Sequence, residues 1–203
     1  MTRPLMFAVS AMAAMLCATS SVHAQVNLSL ESNGANLSQL RVGDTATIEV
    51  RLGGLQSGQE LDALSATILY DETLLSAPSV SHGPIVPDPL ADPFDFLVWE
   101  EPGIAEGAFL TMGTESSDHV LSNGTFFSFE ITVLGVGSGD FVFDFVDASE
   151  FNSADPFDPI PLTPSMGPPL QFTVVPEPGG LSIIVLLLPL LLAARTIRST
   201  RRK

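Results

Sequence analysis

In "DTATIEVRL", Asp44 to Leu52, apolar and polar residues alternate without a break. Ala46, Ile48, Val50 and Leu52 fall on one side of an extended chain, and Thr45, Thr47, Glu49 and Arg51 on the other. An extended chain turns successive side chains to opposite faces, so this pattern predicts a strand with one face buried and one wetted. The same period returns in "LSATILY", with Leu64, Ala66, Ile68 and Tyr70. It returns again in "GTFFSFEITVLG", with Phe127, Phe129, Ile131 and Val133, and in "FVFDFV", with Phe141, Phe143 and Phe145. The last two runs flank the glycine-rich "GVGSGD" and read as a β-hairpin. Shorter candidates are "VNLSL", "DFLVW", "AFLTM" and "LQFTV". No 3.6-residue period runs through residues 25–174, so about eight or nine strands in an all-β two-sheet sandwich are expected there. Its core should hold Ile48, Val50, Ile68, Phe127, Phe129, Ile131, Phe143 and Phe145.

The two ends obey other rules. Arg3, the apolar run Leu5–Ala18 and the small residues Val22 and Ala24 make a secretory signal peptide over residues 1–24, cut after Ala24. Leu16 precedes Cys17 where a lipid-modified cysteine requires a small residue, so Cys17 leaves with the signal. The mature chain then has no cysteine, which excludes disulfides, thiol catalysis and cysteine-held metals. At the other end, Gly179–Ala194 is an apolar segment of 16 residues followed by Arg195, Arg198, Arg201, Arg202 and Lys203. As a helix it measures about 24 Å at ~1.5 Å per residue, short of a bilayer core of about 30 Å. It spans with help from its flanks, and the basic cluster stays on the cytoplasmic side.

Between signal and basic cluster, Arg41 and Arg51 stand alone against all 23 acidic residues, two against 23, leaving −21. That surface repels phosphate and excludes nucleic acid as a partner. Its acidity admits calcium, among Asp88, Asp92 and Asp95 or between Asp155 and Asp158, but neither loop has EF-hand spacing and no other metal or cofactor is called for. Asp-Pro-Phe-Asp occurs twice, at 92–95 and 155–158, within proline-rich stretches that read as loops keeping sheet edges unpaired.

Catalytic constellations are missing. His82 and His119 are the histidines of the mature chain, and they have no metal-ligand spacing. "GVGSG" fails as a nucleophile elbow, because Val136 stands where the first glycine is required. The adjacent carboxylates Asp71-Glu72 and Glu100-Glu101 would face opposite ways on a strand. The chain is expected not to be an enzyme. Sugar binding needs an aromatic platform, and Trp99 is the one candidate for glycan stacking.

"VGDTATIEVRLGGL" followed by "LDALSATILYDETLLSAPSV" resembles the opening of cohesin-like domains, through Val42, Gly43, Asp44, Tyr70, Asp71, Leu74 and Leu75. The resemblance implies a jelly-roll sandwich related to carbohydrate-binding modules, and carries over no partner surface. The tail resembles the PEP-CTERM sorting signal. Val175, Pro176, Glu177, Pro178 and Gly179 form its motif (residues 175–180), ahead of the transmembrane segment 179–194 and the basic cluster 195–203. Pro189 inside the apolar segment departs from a regular helix. This second resemblance implies bacterial export through the inner membrane, a membrane-anchored precursor, and an exosortase-type enzyme as processing partner. The expected product is a non-catalytic protein of the cell surface or extracellular matrix, acting in adhesion or protein contact. A carbohydrate-binding module and a permanently membrane-anchored surface protein are the alternatives.

Overall fold

The computed structural model describes residues 26–76, 78–87, 96–111, 113 and 115–177. The signal peptide with its cleavage residues Val22 and Ala24, the acidic residues Asp88, Asp92 and Asp95, and the tail from Pro178 through Gly179, the apolar segment and the basic cluster lie outside them.

Among the described residues, eleven strands form two sheets packed face to face. They are β1 (Asn27–Ser32), β2 (Thr45–Gly53), β3 (Leu61–Leu69), β4 (Ser79–His82), β5 (Phe96–Glu101), β6 (Ile104–Leu110), β7 (Gly124–Thr132), β8 (Gly137–Glu150), β9 (Ile160–Leu162), β10 (Ser165–Met166) and β11 (Leu170–Val174). The first sheet runs β10-β1-β2-β7-β4 and the second β11-β8-β3-β6-β5, with β9 added beside β8. All pairings are antiparallel except β1 with β10. The eight strands expected from alternation are all present. The three extra ones have four, three and two residues, in Ser- and Pro-rich segments too short to carry a period.

Alternation sets what is buried. In β2, Ala46, Ile48, Val50 and Leu52 face the core, and in β3 Leu64, Ala66 and Ile68 do. Between the sheets a row of rings joins β7 to β8 and β11. Phe126 to Phe127, Phe127 to Phe129, Phe129 to Phe141 and Phe141 to Phe172 have centroids 5.3, 6.4, 5.8 and 5.2 Å apart. These separations suit edge and tilted aromatic packing.

Bulges break the alternation, and one of them corrects an expectation. Val50 pairs with Phe127 but Arg51 pairs with Thr125, so Phe126 is an extra residue and both Phe126 and Phe127 are buried. In β8, Ile68 pairs with Phe143 and Thr67 with Phe145, which makes Asp144 the extra residue. One inserted residue reverses the phase of a strand. Phe143 therefore points inward, whereas Phe145, expected in the core, is 51% exposed on the outer face. The other seven expected core residues are buried.

The second correction concerns the hairpin. β7 and β8 do not pair, because each belongs to a different sheet. The glycine-rich stretch carries the chain across the sandwich, and Gly137-Ser138-Gly139 is already strand, paired with Val174, Thr173 and Phe172 of β11. At Gly139 the Phe172 ring lies so close that a Cβ would come within 2.8 Å of it, so the glycine is needed for packing rather than for a turn.

Candidate functional site

The Tyr-Asp-x-x-Leu-Leu segment organises one end of the second sheet. The Tyr70 hydroxyl donates to the Ser76 carbonyl at 2.9 Å and lies 3.4 Å from that of Glu101, tying the turn after β3 to the end of β5. Burial raises the phenol's pKa above its ordinary value. The Asp71 carboxylate accepts from the Thr73 hydroxyl at 2.6 Å and its amide at 2.8 Å, and these bonds hold its pKa below the usual carboxylate range. The folded state thus prefers Asp71 ionised. Its contribution is present above the unfolded carboxyl pKa and is lost as pH falls through the lower folded value. An NMR titration should show Asp71 ionising below an ordinary aspartate, and Thr73→Ala should bring it back up; an unchanged value in Thr73→Ala would remove the hydrogen-bond explanation. Of the other paired carboxylates, Glu100 accepts the Val80 amide at 2.7 Å, a link between sheets rather than acid–base machinery.

Neither histidine is placed for catalysis. His82 packs edge-on to Phe96 at 5.9 Å. The His119 ring is fully buried against Phe151 at 4.3 Å, and Glu60 comes within 3.6 Å of its Nδ1. Among the described residues no three His, Cys, Asp or Glu side chains converge on a metal position. Asp155 and Asp158 sit in an exposed loop, where the Asp155 carboxylate accepts the Phe157 amide at 3.2 Å. Val175, Pro176 and Glu177 follow β11, and the Val175 amide donates to Leu40.

What the second sheet does offer is its outer face. The inner face takes Phe109, Ala105, Leu64, Ala66 and Ile68, so the alternate residues turn to solvent. Register then places them in rows across four strands. Phe145, Thr67, Glu106 and Trp99 form one row, and Asp147, Ser65, Ala108 and Leu97 the next. Ser149, Ala63 and Leu110 form the row beyond, and Val142, Leu69, Ile104 and Glu101 lie on the opposite side of the first. Leu97 is 65% exposed, Trp99 56% and Leu110 55%. Trp99 thus stands in the open on edge strand β5, opposite Glu106. The face mixes these large apolar side chains with Thr67 and Ser65 on β3 and with the acidic Glu101, Glu106 and Asp147. Arg51 lies on the other sheet, held by Glu31 and Glu49 at 3.5 Å each. Several large apolar side chains left open on one sheet face point to an interaction site. Sequence reading found Trp99 but missed Phe145 and the row it belongs to, because the bulge that exposes them leaves no mark in the alternation.

A model of the cohesin domain matches residues 20–154. The chain belongs to the cohesin domain family. Cohesin domains are binding modules without catalytic activity, and this one is not an enzyme. The fold is similar to that of the seventh ScaB type I cohesin of Pseudobacteroides cellulosolvens, at 18% identity and a TM-score of 0.61, over 75% of this chain and 94% of that one. It is also similar to the structure of a type I cohesin–dockerin complex from Clostridium thermocellum, at 14% identity and a TM-score of 0.59, over 75% of this chain and 96% of that one. A non-cellulosomal cohesin from the archaeon Archaeoglobus fulgidus matches at 10% identity with a TM-score of 0.54, over 75% of this chain and 92% of that one. No curated protein matches the sequence.

Proposed function

We propose that this cohesin is an exported recognition module that binds a partner protein, of the dockerin type, across the outer face of β8, β3, β6 and β5. The observation that carries the reading is the set of large apolar side chains open to solvent on this one face, Phe145, Trp99, Leu97 and Leu110, set among Thr67, Ser65 and the acidic Glu106 and Asp147. Burying a few large side chains supplies most of the affinity of a protein interface. Cohesins of similar fold are seen in complex with dockerins. Titration of dockerin modules encoded by the same organism should find one that binds, and Phe145→Asp should weaken it about 30-fold or more, a loss of about 2 kcal/mol. Native affinity in that variant, or no binding dockerin at all, would remove this face as the site.

The termini support a second part of the proposal. A signal peptide ending at Ala24 and the ordered Pro-Glu-Pro, apolar and basic blocks of the tail fit export followed by handling by an exosortase-type enzyme. The short apolar segment holds the precursor in the inner membrane, and removal of the tail sends the sandwich to the cell surface or extracellular matrix. Mass spectrometry of the native protein should then find a C-terminus near Pro176–Gly180. An intact Lys203 on the surface form would make the tail a permanent anchor instead.

One observation favours a second reading. Trp99 is exposed rather than built into the core, as a glycan platform requires. A glycan array that lights up with the native chain and goes dark with Trp99→Ala would assign the face to polysaccharide.

A further inference from the structure

At the β9 end of the outer face lies a half-open pocket of about 230 Å³. It is lined by the polar Asp62, Thr111 and Ser149 and by Leu110, Pro156, Phe157 and Pro159. Asp62 is there because of a third bulge. Leu61 pairs with Glu150 and Ala63 with Ser149, which leaves Asp62 as the extra residue of β3. Bulges re-aim side chains in this way. The Asp62 carboxylate reaches the Ser149 hydroxyl, which donates to its Oδ1, and the Thr111 amide donates to the Asp62 carbonyl at 2.9 Å.

This aspartate is only 7% exposed, yet among the described residues no lysine or arginine comes within ion-pair distance of it. A buried carboxylate favours a cationic partner, and here a single neutral hydroxyl takes that place. The nearby acids are bonded elsewhere, Glu150 to the Gln59 side-chain amide at 2.9 Å and Glu60 to the Ser116 hydroxyl at 2.7 Å, so neither shares a partner with Asp62. The pocket therefore sets apolar surface beside a carboxylate that has no counter-charge among the described residues. A long cationic side chain matches both parts, since its methylenes cover Leu110 and Pro156 while its head reaches the carboxylate. The Phe157 ring, 86% exposed at the mouth, adds a face on which a guanidinium can lie.

We propose that this pocket takes an arginine or lysine side chain from the protein that docks on the outer face. The assignment rests on the reading of that face as a protein interface. It adds a charge requirement that the apolar rows do not impose: the partner presents a basic residue at one margin of its contact surface. Ser149 and Phe145 are four residues apart on β8, about 13 Å at ~3.3 Å per residue, so one partner can fill the pocket and cover the aromatic row together.

The test needs no knowledge of the partner. N-acetyl-arginine methylamide is titrated into the isotope-labelled full chain, with the citrulline analogue as a neutral control of the same shape. Saturable shifts are expected at the amides of Asp62, Thr111 and Phe157 with the arginine probe. They should fall at least tenfold in size at equal concentration with citrulline, and likewise in Asp62→Asn, which keeps a group able to bond Ser149. Equal response to citrulline, or shifts spread over acidic residues of both sheets and unchanged in Asp62→Asn, would overturn the assignment. Should Asp62→Asn unfold, the arginine–citrulline comparison on the native chain decides alone. Phe145→Asp should leave these shifts intact while weakening dockerin binding, so failure of the pocket and failure of the face give different results.

Discussion

Phe129→Ala is expected to destabilise the sandwich by about 3–5 kcal/mol, the cost of emptying a well-packed aromatic site. Phe129 is 1% exposed and touches rings on both sides, Phe127 at 6.4 Å in its own strand and Phe141 at 5.8 Å across the sandwich. Its loss opens a cavity between two sheets that are fixed by their own ladders and cannot collapse to fill it. Thermal denaturation should show a melting point lower by about 10 °C, at roughly 2–4 °C per kcal/mol for a chain of this size. Phe145→Ala is the matched control. On the outer face it should change stability by no more than about 0.5 kcal/mol. Equal effects at the two positions would mean that the bulge at Asp144 is wrong and that Phe145 points inward after all.

Gly107→Val should destabilise by about 3 kcal/mol, at the upper end of what overpacking costs. Gly107 lies on the inner face of β6, and a Cβ built there would sit 2.6 Å from the Phe127 ring. Phe127 is fully buried and wedged between Phe126 and Phe129, so the ring has nowhere to go. β6 must instead lift off the first sheet, taking with it the outer-face residues Glu106 and Ala108 that flank Gly107. A melt lowered by several degrees, together with weakened partner binding, is the expected pair of results. An unchanged melt would show that the two sheets are less tightly packed at this point than the geometry requires.

Much of the fold is legible in the sequence, because a half-buried strand must alternate. β2, and β3 from Ala63 onward, follow the pattern residue by residue, and that alone places Ile48, Val50 and Ile68 in the core. What alternation cannot carry is an inserted residue. Nothing in "FVFDFVDASE" distinguishes a strand that keeps Phe141, Phe143 and Phe145 together from one that turns the third outward. The choice depends on pairing with Thr67 and Ile68, which are far away in the chain. The supposed hairpin fails for a related reason: "GVGSGD" has the composition of a tight turn, but whether two strands pair or part is decided by the sheets on either side. Asp62 was equally hidden, since an acidic residue at the start of a strand reads as solvated until a bulge buries it. The candidate site draws on all of these, so the sequence alone reached Trp99 at its edge and not the rows behind it.

Side-chain oxidation by hydroxyl radicals, with and without a bound dockerin-type partner, tests the outer face most directly. In the free chain Trp99, Phe145 and Met166 are all open to solvent, the first two on the second sheet and Met166 on β10 of the first. Complex formation should protect Trp99 and Phe145 strongly while Met166 is oxidised at its free rate. Protection of Met166, with Trp99 and Phe145 as reactive as before, would place the partner on the opposite sheet and contradict the account.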